Sequence, residues 1–449
     1  MAKRYEKYKD SGIAWIGEIP EHWEVCRFKF ITSKIGDGLH GTPLYDEEGD
    51  YYFVNGNNLG SKRIELKDST KKLDYSEFVK YKKDIAENSL LISLNGTIGS
   101  VSLYNNEPIV LSKSAGYLVL KTNQQRDFIY HVSNSVITNT FWMLSISGTT
   151  IANLSLEALR NTYVVSVPFR EQEQIAKYLD WKCGEVDRIV EVRERQIKLL
   201  GELRTSVISR AVTRGLNPNA PLKDSGIDWI GQIPEHWEIC RLKNACSLKG
   251  RIGWKGLRSE EFEQISYAYL VTGQDFHSAI IDWTKCYQIS KERYDEDPYI
   301  QLSNGDLLIT KDGTIGKIAK VSNMDKPSCL NSGIFVMKQT KALFEQSYLY
   351  WLLESSLLKE FNNYTSTGTT ILHLYQNVFE NMPFIIPSLS EQQQIAEYLD
   401  KKTEEIDSTI DKFKVQIDKL KEYRQALITE VVTGKIDVRG IEIPTPKSN

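Results

Sequence analysis

The chain has no run of eighteen apolar residues, so nothing in it predicts a membrane-spanning helix. Its six cysteines (Cys26, Cys183, Cys240, Cys246, Cys286, Cys329) are scattered and none forms CxxC. That argues against a zinc framework or a disulfide scaffold and predicts reduced thiols in a cytoplasmic protein. The opening MAKRYEKYKD lacks the apolar core expected of a secretory signal. No HExxH occurs, and Gly316-Lys317 lacks the glycine five residues earlier and the following Ser or Thr of a phosphate-binding lysine loop. A DNA methylase would need an Asn/Asp-Pro-Pro-aromatic tetrad and a Gly-rich cofactor loop. Neither is present, and Asn217-Pro218-Asn219 is no substitute. These absences predict no catalytic residue, no metal site and no cofactor on this chain. An excess of one charge is missing too: the formal net charge is −3, which by itself gives no hint of nucleic acid.

What is present is a soluble composition, 41% hydrophobic and 26% charged, over 449 residues, enough for two to four domains. The chain also repeats itself. Residues 9–27 (KDSGIAWIGEIPEHWEVCR) and 223–241 (KDSGIDWIGQIPEHWEICR) match at 16 of 19 positions, at an offset of 214. LLISLNGTIG (90–99) answers LLITKDGTIG (307–316), SGTTI (147–151) answers TGTTI (367–371), and EQEQIAKYLD (171–180) answers EQQQIAEYLD (391–400). A period this long is no solenoid. It is a duplicated half of about 220 residues, and it predicts internal pseudo-two-fold symmetry. Residues 28–89 and 242–305 show almost no similarity, so a common frame carries two different inserts.

Each half ends in a helical pattern. Apolar positions run Ile175, Leu179, Cys183, Val186, Val190, Ile197, Leu200, Val207, Ala211, and in the second copy Ile395, Leu399, Ile406, Ile410, Phe413, Ile417, Leu420, Leu427, Val431. Spacings of three and four make a heptad seam. Two such seams predict helices of about 40 residues, roughly 60 Å, packed on each other. Ser390 with Gln393 predicts a capping box at the second start, and Gly215 and Gly434 mark the ends. Arg193 and Arg204 interrupt the first seam, which predicts imperfect packing or sharing with another chain. Elsewhere, short alternating runs such as YYFVNG (51–56), LLISL (90–94) and GYLVLK (116–121) predict strands. The organisation expected is a mixed α/β domain (1–165), a helical spacer (166–215), a second mixed domain (216–386), a second spacer (387–437) and a tail (438–449).

With no catalytic motif, recognition remains. His22 and His236 recur beside Trp23 and Trp237, and read as structural polar residues of a repeated brace rather than catalytic groups. KGRIGWKGLR (249–258) carries Lys249, Arg251, Lys255 and Arg258 with no acid, glycines for close backbone approach, and Trp254 for stacking. Arginine suits guanine edges and lysine suits phosphate, so this is a candidate DNA-reading loop; the alternative is a solvated basic turn. KIGDGLHGTP (34–43) is its counterpart, with Lys34, His40 and Thr42 available. Asn55, Asn57 and Asn58 follow, and asparagine pairs with adenine edges. The repeated GTIG, with Lys311 beside the second copy, and the repeated [ST]GTT, with Thr149 and Thr369, are either tight turns or backbone N–H groups facing phosphate.

The SGI-WIG-IPEHW block, a mixed domain, a Pro-xx-EQ-xxIA-YLD helix, and then the whole set again resemble the specificity subunit of type I restriction–modification systems. The likeness covers essentially the full chain: Pro168 precedes Glu171-Gln172-Glu173-Gln174-Ile175, and Pro387 precedes Glu391-Gln392-Gln393-Gln394-Ile395. The second copy has one extra residue after its proline, expected to shift only the helix cap. The resemblance implies two target-recognition domains, each reading half of a bipartite double-stranded DNA target, joined by two long helices in an antiparallel coiled coil. It also implies two methyltransferase subunits and restriction/translocase subunits as partners, which would hold S-adenosylmethionine, ATP and magnesium, with no membrane involved. A partner enclosing the duplex would supply the phosphate contacts that near-neutral domains lack. The rival readings are a coiled-coil scaffold that binds no DNA, and a self-contained nuclease or methylase with disguised motifs.

Overall fold

The computed structural model describes residues 3–60, 62–146, 152–251, 256–277, 279–365 and 374–444. It divides into two units, Met1–Glu194 with Lys414–Asn449, and Arg195–Phe413. Two long helices, Phe169–Arg214 (46 residues) and Leu389–Val432 (44 residues), pass through the points of division.

In the first unit a four-stranded antiparallel sheet runs in the order Thr32–Asp37, Ala115–Leu120, Ser89–Ser93, Val101–Leu103. Ser89–Ser93 is buried at every residue, as the apolar run LLISL requires of a central strand. Beside it Tyr51–Val54 lies parallel to Ile109–Leu111 and antiparallel to Lys72–Leu73. The second unit repeats this plan. Cys246–Gly250, Ile334–Gln339, Leu307–Thr310 and Ile318–Lys320 form the sheet, extended by two short strands. Ala268–Val271 lies parallel to Ser328–Leu330 and antiparallel to Tyr287–Ile289. The two inserts that share almost no sequence therefore share a topology.

The repeated sequence blocks meet each other. Trp23 is fully buried and its Nε1–H donates to Glu171 Oε2 at 2.7 Å, while His22 Nε2 lies 2.9 Å from Glu171 Oε1. In the second unit Trp237 Nε1–H donates to Glu391 at 3.3 Å, and His236 Nε2 lies 2.8 Å from the same oxygen. The IPEHWE block is thus a brace on the first turn of its own long helix. The acid there also complements the positive helix end. His22 and His236 each contact the acid on the first turn of their own helix, the place a structural reading gives them.

Each tryptophan also packs against the glycine that ends the other copy's helix. A Cβ at Gly215 would lie 3.0 Å from Trp237, and one at Gly434 would lie 2.4 Å from Pro20 and 2.9 Å from Trp23. Both glycines have positive φ (69° and 75°), the left-handed turn that closes a helix. In the first unit, Ile175, Leu179 and Cys183 at the start of the first helix share a core with Leu427, Ile428 and Val431 at the end of the second. In the second unit Ile208, Ala211 and Val212 meet Ile395 and Leu399. The sense is antiparallel in each.

Two helix expectations change. The second helix starts one residue after Ser388, whose hydroxyl accepts from Glu391 N–H at 3.3 Å while the Glu391 carboxylate accepts from Ser388 N–H at 3.2 Å. The capping box is Ser388–Glu391, not Ser390–Gln393, because the extra residue after Pro387 takes the place of Pro168. Arg204 does not spoil the seam: its Nε lies 3.0 Å from Asp407 Oδ1. Arg424 and Asp187 make the equivalent pair at 3.0 Å in the first unit. Beyond the second helix, Asp437 N–H donates to Lys3 O at 2.7 Å and Gln174 Nε2 donates to Val438 O and Ile441 O.

Candidate nucleic-acid interface

At one end of each main sheet four loops are laced by the same backbone hydrogen bonds. In the first unit Ser112 N–H donates to Val54 O (2.9 Å), Leu94 N–H to Ser114 O (2.8 Å), Gly99 N–H to Ser93 O (2.9 Å) and Leu154 N–H to Leu94 O (2.9 Å). In the second, Asn331 N–H donates to Val271 O (2.9 Å), Lys311 N–H to Gly333 O (2.9 Å), Gly316 N–H to Thr310 O (2.9 Å) and Leu374 N–H to Lys311 O (3.1 Å). The loop after Thr32–Asp37 joins the first set through Leu39 N–H to Leu111 O at 2.7 Å.

This lacing aligns segments whose sequences look unrelated. Val54-Asn55-Gly56-Asn57-Asn58 occupies the place of Val271-Thr272-Gly273-Gln274-Asp275. The fifth residue is buried in both and holds the turn. Asn58 Oδ1 accepts from Asn55 N–H at 2.9 Å, and Asp275 Oδ2 accepts from Thr272 N–H at 2.6 Å. Burial raises the Asp275 carboxyl above its ordinary value, and the Thr272 hydrogen bonds oppose that only in part. The glycine has no room for a side chain: a Cβ would lie 2.3 Å from Ser93 Oγ at Gly56 and 2.9 Å from Thr310 Cγ2 at Gly273. The fourth residue, Asn57 or Gln274, points out and is exposed. In the second unit this turn borders a cavity of about 520 Å³ whose lining includes Gln274, Thr314, Lys317 and Asn331.

GTIG is a tight turn in both copies, with φ of 73° and 81° at Gly96 and Gly99 and 69° and 82° at Gly313 and Gly316. Lys311 leads into the second, half-buried with its ammonium 4.9 Å from the Phe335 ring.

The residues expected to read DNA therefore divide. Lys34 (on a strand), His40, Thr42, Asn57, Lys249 and Arg258 are exposed, and Asn55 is half-buried. His40 is held 2.6 Å from Asp37, Lys249 lies 5.8 Å from the Tyr299 ring, and Arg258 N–H is capped by Glu261 at 2.7 Å. Two expectations are overturned. Arg251 is only 3% exposed, its Nε–H donating to Leu330 O at 2.9 Å and its Nη2–H to Cys329 Sγ at 3.3 Å. Asn58 is 5% exposed, and its Nδ2 donates to Glu65 O and Thr70 Oγ1. Thr149, Trp254, Lys255 and Thr369 lie outside the described residues. Sequence reading missed Gln274, Asn331 and Lys317; the one signal for Gln274 was VNGNN against VTGQD, a five-residue likeness inside unmatched blocks.

Cys286 lies against the Asp275 carboxyl and Cys329 against Arg251, and burial raises both thiols; burial likewise pushes the Cys183 thiol to about 11 and Cys246 to about 12, so these thiols stay protonated near neutrality. Among the described residues no group of three or more His, Cys, Asp or Glu is placed to hold a metal ion, and no helix is long and apolar enough to cross a membrane.

Residues 20–197 and 234–419 match the family described as type I restriction modification DNA specificity domain. The type I restriction enzyme MjaVIII specificity subunit of Methanocaldococcus jannaschii is 24% identical over 431 residues, covering 94% of this chain and 95% of its own. The EcoKI specificity subunit of Escherichia coli is 25% identical over 209 residues, 46% of this chain and 44% of its own. A chain from a solved structure of type I R-M complex assembly superposes with a TM-score of 0.70 at 16% identity, covering 92% of this chain and 98% of that one.

Proposed function

This chain belongs to the type I restriction–modification DNA specificity family, as a specificity subunit with two target-recognition domains, and from that premise we propose that its two laced loop ends each read one half of a bipartite DNA target. The observation that carries the reading is the loop architecture itself. The same hydrogen-bond frame is built twice, around inserts whose exposed side chains differ. A frame that repeats while its surface varies suits two independent readers of different sequences. Phosphate contacts fix register and base edges give specificity. Exposed Lys249 and Arg258 and the Lys311 and Lys317 cations are suited to the first, and uncharged amides and hydroxyls to the second.

The chemistry on DNA belongs to partners in this reading. Two modification subunits would carry S-adenosylmethionine, and restriction/translocase subunits would carry ATP and magnesium, in the cytoplasm. This chain would supply no catalytic group.

The test is an exchange of residues 216–386 for the corresponding domain of a related chain, with methylated sites mapped in a host that also makes the modification subunit. One half of the methylated sequence should change and the other should not. A change in both halves, or in neither, would overturn independent reading.

A further inference from the structure

We propose that Asn57 and Gln274, at the same position of the same turn in the two units, are the matched base-reading side chains, each pairing with an adenine edge in its own half-site. This rests on the DNA-reading role proposed above.

Three observations single these two out. Each is exposed, yet each stands on a hydrogen-bonded turn, between a glycine with no room for a side chain and a buried residue that caps the turn. Neither side-chain amide hydrogen-bonds to any described residue, so donor and acceptor both face outward. And the residue type is shared where the surrounding inserts are not: both are primary carboxamides.

The chemistry then selects the ligand. A carboxamide offers one acceptor and one donor side by side in a plane. Adenine presents N6–H and N7 in the major groove with the complementary spacing. A carboxylate has no donor and a lysine no acceptor, so neither could replace the amide. A reader must also be pre-positioned, because an amide on a loose loop would lose its pairing energy to ordering. The backbone here is held by buried neighbours, and only the side chain has rotamers to fix. Gln274 reaches one methylene further than Asn57, so the two turns need not approach their bases equally.

The experiment uses the full chain made with its modification subunit, wild type beside Asn57→Ala and Gln274→Ala. Methylated sites are mapped, and binding is measured on the wild-type site and on sites with single adenine replacements. Asn57→Ala should relax one adenine position in one half-site, lowering discrimination there roughly 5- to 150-fold, with the other half-site unchanged. Gln274→Ala should do the same in the opposite half-site. Asn57→Asp and Gln274→Glu, which keep shape but lose the donor, should relax the same positions. If a variant stops methylation, the binding series still decides: equal affinity for the wild-type and adenine-replaced sites supports the assignment, and preserved discrimination overturns it. Sites unchanged at every position, or relaxed in both halves by one substitution, also overturn it. Failure of the DNA-reading role would show instead in the wild-type complex, which would then mark no two-part sequence.

Discussion

Arg251 and Asn58 have the side chains of base readers, and both are occupied inside the protein. Arg251 is wrapped against Leu330 and Cys329 on strand Ser328–Leu330 of the three-stranded sheet, where its guanidinium donates to the carbonyl of a buried residue. Truncating it leaves that acceptor short of a donor and opens a void. Arg251→Ala should therefore destabilise the second unit by about 1–3 kcal/mol, read by urea denaturation of the full chain. If stability held and one base position relaxed instead, Arg251 would reach DNA after all. Asn57 and Gln274 are the contrary case, with short polar side chains that the protein does not use. A list of basic residues in the sequence cannot separate these two kinds, because burial of a charged group depends on which strand lies beside it.

The long helices are where local pattern and structure agree best. None of the eighteen seam positions is exposed, while Ile189, Val192, Leu199 and Leu203, apolar but off the seam, are 47–62% exposed. Arg204–Asp407 and Arg424–Asp187 repeat one ion pair at equivalent places. Half-exposed pairs of this kind stabilise by no more than about 1 kcal/mol, so their role is to fix which faces meet. In the proposed role the helices set the separation of the half-sites. Inserting four residues after Glu194 and four after Phe413 lengthens both helices by about 6 Å and nearly preserves their faces. The methylated half-sites should then move apart by one or two unspecified base pairs, at about 3.4 Å each, with their sequences unchanged. A folded double insertion that methylates the original spacing would show that the helices are not the ruler.

At the level of the whole chain, each copy's tryptophan brace closes on the other copy's helix end, so the first unit needs residues 434–441. Tyr8 Oη–H donates to Gly434 O at 2.9 Å, Asp437 N–H to Lys3 O at 2.7 Å, and Val438 is fully buried. Ending the chain at Thr433 uncovers Tyr5 and Trp23 and forfeits Val438 burial, about 1.5–3 kcal/mol for that side chain alone. Hydrogen exchange should rise in peptides from 1–194 and stay unchanged in those from 202–406. Equal protection in both would mean the tail is dispensable. The duplication, the two helices and their seams were all legible in the sequence, because repeated blocks are found by laying the chain on itself and three-four periodicity is a property of neighbouring residues. So were the strands Tyr51–Val54, Ser89–Ser93 and Ala115–Leu120, whose apolar runs fit the pleat. The cap at Ser388 was also local, a Ser-x-x-Glu pattern two residues before the one expected, whereas the filling of the Arg204 position and the closure by residues 437–441 depend on partners roughly 200 to 430 residues away. The interface was the least legible part. It is assembled from four loops that come together only when parallel pairing of Tyr51–Val54 with Ile109–Leu111, and of Ala268–Val271 with Ser328–Leu330, brings their ends to one edge. Only that tertiary pairing decided which amides face out and which arginine is buried, because exposure is set by what folds over a residue and not by the residue itself.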